Sequence, residues 1–212
     1  MRTTQPNLFS LATKELSQDS FLAWLLQWAD DSYSLINPSL NKTAKDFIRH
    51  LIGRDETYPV LKVTAGRQWH NIDIWAEINA EYFLCIEDKT NTGEHSGQLE
   101  RYKEYVIEEY NDKTHQLVFI YLKTGNESVT TLNKIVEKDY KIINRKTVLT
   151  ILSKRAIQND IFNDFIDYLT VLEELTNSYT QFEKLTSDWK AAEGFYMKLQ
   201  ELIPEWTDWS YV

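Results

Sequence analysis

Two short apolar runs separated by a polar turn form the most regular pattern in the chain. The first run spans residues 71–77, the second spans residues 82–89, and the turn contains Asn79, Ala80 and Glu81. Short runs rich in β-branched and aromatic residues on either side of such a turn predict a β-hairpin. A polar loop and a helix that begins near Ser96 follow the hairpin.

The length of the turn decides which side chains of this hairpin share a face. A three-residue turn gives one wholly apolar face, with Ile74 opposite Ile86, Ala76 opposite Leu84 and Ile78 opposite Tyr82. On the other face Asp73 then lies opposite Glu87, and Lys89 lies two residues beyond Glu87. A two-residue turn would place Asp73 opposite Ile86 and mix the two faces, so the apolar matching favours the three-residue turn.

Two carboxylates and an ammonium group would therefore meet at one end of the hairpin. Like charges directly opposite each other destabilise a sheet, and a cation held between Asp73 and Glu87 would explain the cluster. Mg²⁺ commonly takes one or two carboxylates together with waters and substrate phosphates. The alternative is a solvated sheet face on which Lys89 forms a cross-strand pair with one of the acids.

Further motifs accompany these residues. Thirteen residues separate Asp73 from the triplet Glu87-Asp88-Lys89, the spacing Gln-x-x-x-Tyr follows, and a glutamate precedes the stretch Ser20-Phe-Leu-Ala-Trp-Leu-Leu. This combination resembles a bacterial branch of mostly uncharacterised members of the PD-(D/E)XK nuclease superfamily. Ile72 stands where many members have a proline. The residues that carry the resemblance are Asp73, Glu87, Asp88, Lys89, Gln98, Tyr102 and Glu15.

The resemblance implies a metal-dependent nuclease that hydrolyses phosphodiester bonds, in DNA rather than RNA. Asp73 and Glu87 would bind Mg²⁺, with Mn²⁺ as a substitute, and Asp88 would add its backbone carbonyl. Lys89 would assist the attacking water. The remaining motif residues would have supporting roles: Gln98 and Tyr102 would position the lysine or the scissile phosphate, and Glu15 would be an auxiliary acid.

The resemblance also implies an α/β, restriction-endonuclease-like fold: an αβββαβ core with a mixed central sheet flanked by helices. Apolar spacing predicts helices over residues 14–29, 41–51, 160–175 and 179–202. Strands are predicted over residues 60–65 and 116–122, and residues 141–152 form a strand or a short helix. Ser17 or Asp19 would cap the first helix, Gly66 would interrupt the strand before the hairpin, and Pro204 would end the last helix. We expect a nuclease-like core at 1–155 and a helical extension packed on it at 156–212.

Composition and charge narrow the class of protein. With 212 residues and 42% hydrophobic content, one domain with a sizeable core is expected. No apolar run approaches the roughly 18 residues that a membrane span needs, and the single cysteine, Cys85, cannot form an internal disulfide. We therefore expect a cytoplasmic protein without a membrane segment. The net charge of −9 argues against general coating of nucleic acid but not against a nuclease, whose site is acidic before metal binds.

Several alternatives stay open at this point. The basic residues between Lys134 and Arg155 form either a solvated helix face or a phosphate-contacting surface. Arg67 could touch phosphate and His70 could be a metal ligand or a base. The whole chain could also be a non-catalytic binding or regulatory module on the nuclease fold, for example in a defence system, although the intact Asp, Glu and Lys favour catalysis. Four aromatic residues of the C-terminal helices would belong to the core or to a packing surface, through which these helices could contact a second copy or a protein partner; they are Phe182, Trp189, Phe195 and Tyr196.

Overall fold

A mixed five-stranded sheet forms the centre of the protein. The computed structural model describes residues 7–11, 15–90, 93, 97–203 and 205–206. The strands lie side by side in chain order. Strands β1 to β3 are antiparallel, and β4 and β5 join them in parallel. The strands are β1 (Val63–Trp69), β2 (Ile72–Ile78), β3 (Tyr82–Lys89), β4 (Gln116–Lys123) and β5 (Lys141–Asn144).

Helices cover both faces of this sheet. The helices are α1 (Leu8–Leu11), α2 (Glu15–Gln27), α3 (Pro38–Leu51), α4 (Gln98–Glu109), α5 (Val129–Val136), α6 (Arg145–Leu152), α7 (Asp160–Asn177), α8 (Phe182–Ser187) and α9 (Trp189–Leu202). One core cluster joins the sheet to α2, α3, α6 and α7, and a second joins the other face to α4 and α5. The predicted αβββαβ core with C-terminal helices is confirmed.

The hairpin of β2 and β3 has the predicted register. Ile74 pairs with Ile86, Ala76 with Leu84 and Ile78 with Tyr82, and all six side chains are buried in one core cluster. Cys85 lies on the opposite face, in the second cluster. Matching the apolar residues was therefore enough to find which side chains share a face.

Gly66 does not interrupt β1, contrary to the prediction. It pairs with Trp75 of β2, and a Cβ atom at this position would lie 2.8 Å from the Trp75 ring. The glycine makes room for the indole that packs over it, which the sequence alone did not reveal. The strand consequently runs on to Trp69 and forms a second hairpin with β2.

Other predicted boundaries need correction. Helix α2 already begins at Glu15, so Ser17 and Asp19 lie inside it and cannot be its N-cap. The long helix predicted over residues 179–202 breaks at Asp188, whose side chain accepts a hydrogen bond from Lys190 N and caps α9. Residues 141–152 contain both a strand, β5, and a helix, α6. The predicted helix start at Ser96 and the stop at Pro204 lie outside the described residues.

The C-terminal helices contact one another and the loop after β4. A Cβ atom on Gly194 of α9 would lie 1.8 Å from the carbonyl oxygen of Thr176 in α7. Helices α7 and α9 can therefore approach this closely only because residue 194 is glycine. The buried Glu193 accepts a hydrogen bond from Asn126 Nδ2 at 2.7 Å. Phe182 is 77% exposed, and contact of this aromatic region with a partner or a second copy stays a prediction.

The turn between β2 and β3 offers a matched test of backbone strain. Asn79 and Ala80 both have left-handed backbones, with φ of 54° and 55°. Ala80→Gly should stabilise the protein by about 0.5–1 kcal/mol, because glycine adopts this conformation without a steric penalty. Chemical denaturation measures the change.

Asn79→Gly is the control and should have the opposite effect. The Asn79 side chain accepts hydrogen bonds from Leu61 N and Lys62 N and donates to the Pro59 carbonyl. Loss of these bonds should cost about 1–3 kcal/mol. Equal effects of the two substitutions would contradict this account of the turn.

Candidate active site

Asp73, Glu87 and Lys89 lie together at the end of the hairpin. Asp73 precedes the Ile74–Ile86 pair on β2, and Glu87 follows it on β3. Glu87 is 0% exposed, and its Oε1 atom lies 2.5 Å from the Nζ atom of the buried Lys89. The backbone N–H of Asp88 donates to Asp73 Oδ2 at 3.1 Å. The structure thus brings together the three side chains that the register placed on one face.

Burial and neighbouring charges control protonation at this position. Burial raises the pKa of Glu87 to about 8; the charge of Asp73 adds to this effect and Lys89 opposes it. Burial alone would lower the pKa of Lys89, but its hydrogen bond to Glu87 and the charges of Glu87 and Asp73 raise it overall. Lys89 is therefore an ammonium group at neutral pH. A buried acid shifted by specific charged partners is a typical feature of a functional site.

The carboxylates have the chemistry to hold a divalent cation. Within the described residues, both carboxylate oxygens of Glu87 are buried, and Oε1 forms the ion pair with Lys89. The same part of the chain contains no group of three or more His, Cys, Asp and Glu side chains arranged to hold a metal ion. The site therefore offers Asp73 and Glu87, and two carboxylates are a common protein contribution to bound Mg²⁺.

Asp88 can serve this site only through its main chain. Its side chain is fully buried and accepts a hydrogen bond from Gln18 Nε2 of α2 at 2.5 Å. Burial, and then the neighbouring Asp19, raise the pKa of Asp88 well above its ordinary value. Because β-strand side chains alternate between faces, Asp88 lies behind the sheet when Glu87 and Lys89 lie in front of it.

Glu15 lies beside the end of β3. It is the first residue of α2, and its Oε1 atom accepts a hydrogen bond from Thr90 N at 2.9 Å. Its charge acts on both Lys89 and Lys123. The structure places this acid next to the other predicted site residues, and its role as an auxiliary acid stays a prediction.

Gln98 and Tyr102 contact the strand of Asp73. Tyr102 is buried against the sheet, and its hydroxyl donates to the carbonyl oxygen of Asn71 at 2.6 Å. Gln98 Nε2 donates to the same hydroxyl at 2.8 Å. The pair thus fixes the backbone just before β2, two residues from Asp73. Their catalytic roles stay predictions.

Two charged residues next to the site, Lys123 and Asp19, were not predicted to belong to it. Lys123 ends β4, pairs with Lys89 in the parallel register, is buried, and lies 3.3 Å from Glu127. Asp19 lies one helical turn after Glu15, and burial raises its pKa to about 6. Two features of the sequence could have indicated them. Lys123 ends an apolar strand, and Asp19 lies four residues after Glu15 on the same helix.

Other candidate residues make hydrogen bonds and ion pairs within the fold. Arg67 donates to Ser20 Oγ and lies 3.6 Å from Asp19, and His70 is hydrogen-bonded to Tyr105 at 2.6 Å on the surface. Four of the basic residues after Lys134 make contacts within the fold: Lys138 with Glu100, Lys141 with the His50 carbonyl, Arg145 with Glu173 and Arg155 with Asp46. These contacts account for much of the basic run without a phosphate.

Comparisons with known proteins support the sequence motifs. A family model described as the PD-(D/E)XK nuclease superfamily matches residues 6–188. Comparisons with curated proteins and with solved structures find no match. The matched range contains every predicted site residue and extends to the start of α9. None of the helices in the described ranges combines the length and apolarity required to cross a membrane.

Proposed function

The chain belongs to the PD-(D/E)XK nuclease superfamily, and from this premise we propose that it is a metal-dependent nuclease that hydrolyses phosphodiester bonds in DNA. One observation carries the proposal. A buried glutamate, Glu87, lies between a second carboxylate, Asp73, and the ammonium group of Lys89. A purely structural ion pair would not need the second acid, which destabilises the charged form of Glu87.

Asp73 and Glu87 would hold Mg²⁺ or Mn²⁺, and the backbone carbonyl of Asp88 would add a third oxygen. The bound ion would neutralise phosphate charge and make a coordinated water more acidic. Lys89, kept protonated by its acidic neighbours, would donate hydrogen bonds that orient the attacking water or stabilise charge on the scissile phosphate. Lys89 would therefore act mainly by donating hydrogen bonds that hold the water or the phosphate in place.

Residues around this group would hold it in place. Glu15 accepts from the N–H of Thr90, the residue after Lys89. Tyr102 and Gln98 fix the carbonyl of Asn71 at the start of the Asp73 strand. Catalytic groups must be held in one geometry, since small displacements from it lower the reaction rate.

A cleavage assay tests the proposal directly. The protein is incubated with supercoiled plasmid, single-stranded DNA and RNA of matched length, each with Mg²⁺, with Mn²⁺ or with EDTA. We expect DNA cleavage with either metal and none with EDTA. Preferential cleavage of RNA would contradict the substrate. Binding of DNA without cleavage under all metal conditions would instead support a non-catalytic nuclease-fold module.

A further inference from the structure

A buried polar network lies behind the candidate active site, on the other side of the sheet. The side chains of β2 and β3 that face this way are apolar up to Ile86. Asp88 then breaks the pattern with a fully buried carboxylate. Its Oδ1 atom accepts from Gln18 Nε2 at 2.5 Å, so the apolar face ends in a hydrogen bond to helix α2.

Gln18 is a bridge between two strands. Its Oε1 atom accepts a hydrogen bond from Thr124 Oγ1 at 2.8 Å, while its Nε2 atom donates to Asp88. Thr124 follows β4 directly and is fully buried. Its backbone N–H donates to the Lys89 carbonyl at 3.1 Å, and its own carbonyl accepts from Arg145 Nη1 at 2.6 Å. One side-chain amide thus links the ends of β3 and β4.

These contacts complete a set of hydrogen bonds around residues 88–90. The N–H of Asp88 donates to Asp73, the carbonyl of Lys89 accepts from Thr124, and the N–H of Thr90 donates to Glu15. The main chain that carries Lys89 is therefore fixed from three separate elements: β2, the end of β4, and α2.

Stability alone does not account for this arrangement. Replacing both partners of a buried hydrogen bond by apolar groups of the same shape can be neutral or stabilising, and the side chains of β2 and β3 that precede Asp88 on this face are apolar. On β3 this face changes from apolar to polar at Asp88, beside the main chain that carries Lys89. We propose that Gln18 and Thr124 are positioning residues that fix the main chain of Asp88 and Lys89. This inference rests on the proposed function.

Thr124→Val tests the proposal, because valine has the shape of threonine but leaves Gln18 Oε1 without its donor. We expect kcat for DNA cleavage to fall by about ten- to a hundredfold, the usual cost of small displacements of catalytic groups. KM should change less than about threefold, because neither residue belongs to the proposed substrate contacts. Thr124→Ser keeps the hydroxyl and should recover most of the rate. Gln18→Met, which removes both bonds at similar size, should reproduce the loss.

Thr43→Val is the matched control. Thr43 is another fully buried threonine, on α3, and its Oγ1 atom accepts a hydrogen bond from Arg155 Nη1 at the long distance of 3.5 Å. This variant should keep the wild-type kcat. If Thr124→Val lowers the melting temperature but leaves kcat per folded molecule unchanged, the role of Thr124 is structural only and the proposal is wrong.

Amide hydrogen exchange gives a readout that does not depend on cleavage. The amides of Asp88, Thr90 and Thr124 report directly on the fixed segment, and in Thr124→Val they should exchange at least about tenfold faster. Unchanged exchange would overturn the inference whether or not the protein cleaves DNA. If the wild type cleaves nothing while exchange accelerates as expected, the proposed function fails but the fixing of this segment stands.

Discussion

Replacing Lys89 by methionine should slow Mg²⁺-dependent DNA cleavage by about a hundred- to ten-thousandfold, the range that positioned proton donors and acceptors contribute. Methionine keeps the apolar length of the side chain, so the fold should persist. It removes the ammonium group 2.5 Å from Glu87, and with it the donor that would orient water or phosphate. Single-turnover cleavage of a labelled oligonucleotide measures the change.

Lys123→Met is the matched control, because it also removes a buried lysine, at the end of the strand next to β3. Lys123 pairs with Lys89 on the neighbouring strand and is equally buried, but its ion pair is with Glu127. We expect its rate to fall less than about tenfold. If both variants lose the same activity, the result reflects general loss of positive charge at this edge, and the specific role of Lys89 is wrong.

The hairpin could be predicted from the sequence because its register depends only on residues that are close together in the chain. Its two strands are separated by three residues, and only one register buries all six apolar side chains together. The same register fixes Asp73, Glu87 and Lys89 on one face. The depth at which Glu87 is buried, and hence its pKa of about 8, could not be predicted, because it depends on helices packed from distant parts of the chain.

The network behind the site could not be predicted for the same reason. Gln18 and Thr124 are separated by more than a hundred residues, and neither belongs to a recognisable motif. The resemblance implies a backbone role for Asp88, and the sequence does not indicate the partner of its side chain on α2. The sequence predicts a break at Gly66 because it does not show that Trp75 packs over this residue. The missing partner of Asp88 and the wrong prediction for Gly66 both concern contacts between elements, which the spacing of residues within one element does not encode.

Binding of Mg²⁺ should stabilise the wild type and have little effect on Asp73→Asn. Without metal, the Asp73 charge acts against ionised Glu87, so the variant should melt at or above the wild-type temperature. At about a hundred times its dissociation constant, Mg²⁺ should stabilise the wild type by about 2.7 kcal/mol. For a protein of this size that corresponds to about 5–10 °C in Tm. The variant lacks one ligand and should gain little.

The pH dependence of the metal-free protein follows from the pKa of Glu87. The folded state raises this pKa from 4.5 to about 8, mainly through burial and then through Asp73. The folded protein therefore holds this proton more tightly than the unfolded chain, and stability falls as pH rises from about 4.5 to about 8. The fall should be smaller in Asp73→Asn, where one of the two causes is removed. Added Mg²⁺ should stabilise the wild type most at the upper end of this range, because the ligand must be deprotonated.

Glu77→Gln separates loss of the metal ligand from loss of any carboxylate on β2. Glu77 lies four residues after Asp73 on the same strand face, and its contact is with His115 at 3.5 Å. The Tm of Glu77→Gln should respond to Mg²⁺ and Mn²⁺ as that of the wild type does, because Glu77 lies outside the group of Asp73, Glu87 and Lys89. Thermal melts at pH 6 and pH 8, with each metal and with EDTA, measure all three proteins. Equal metal-induced shifts for the wild type and Asp73→Asn would contradict a metal site at Asp73, even though the fold would stand.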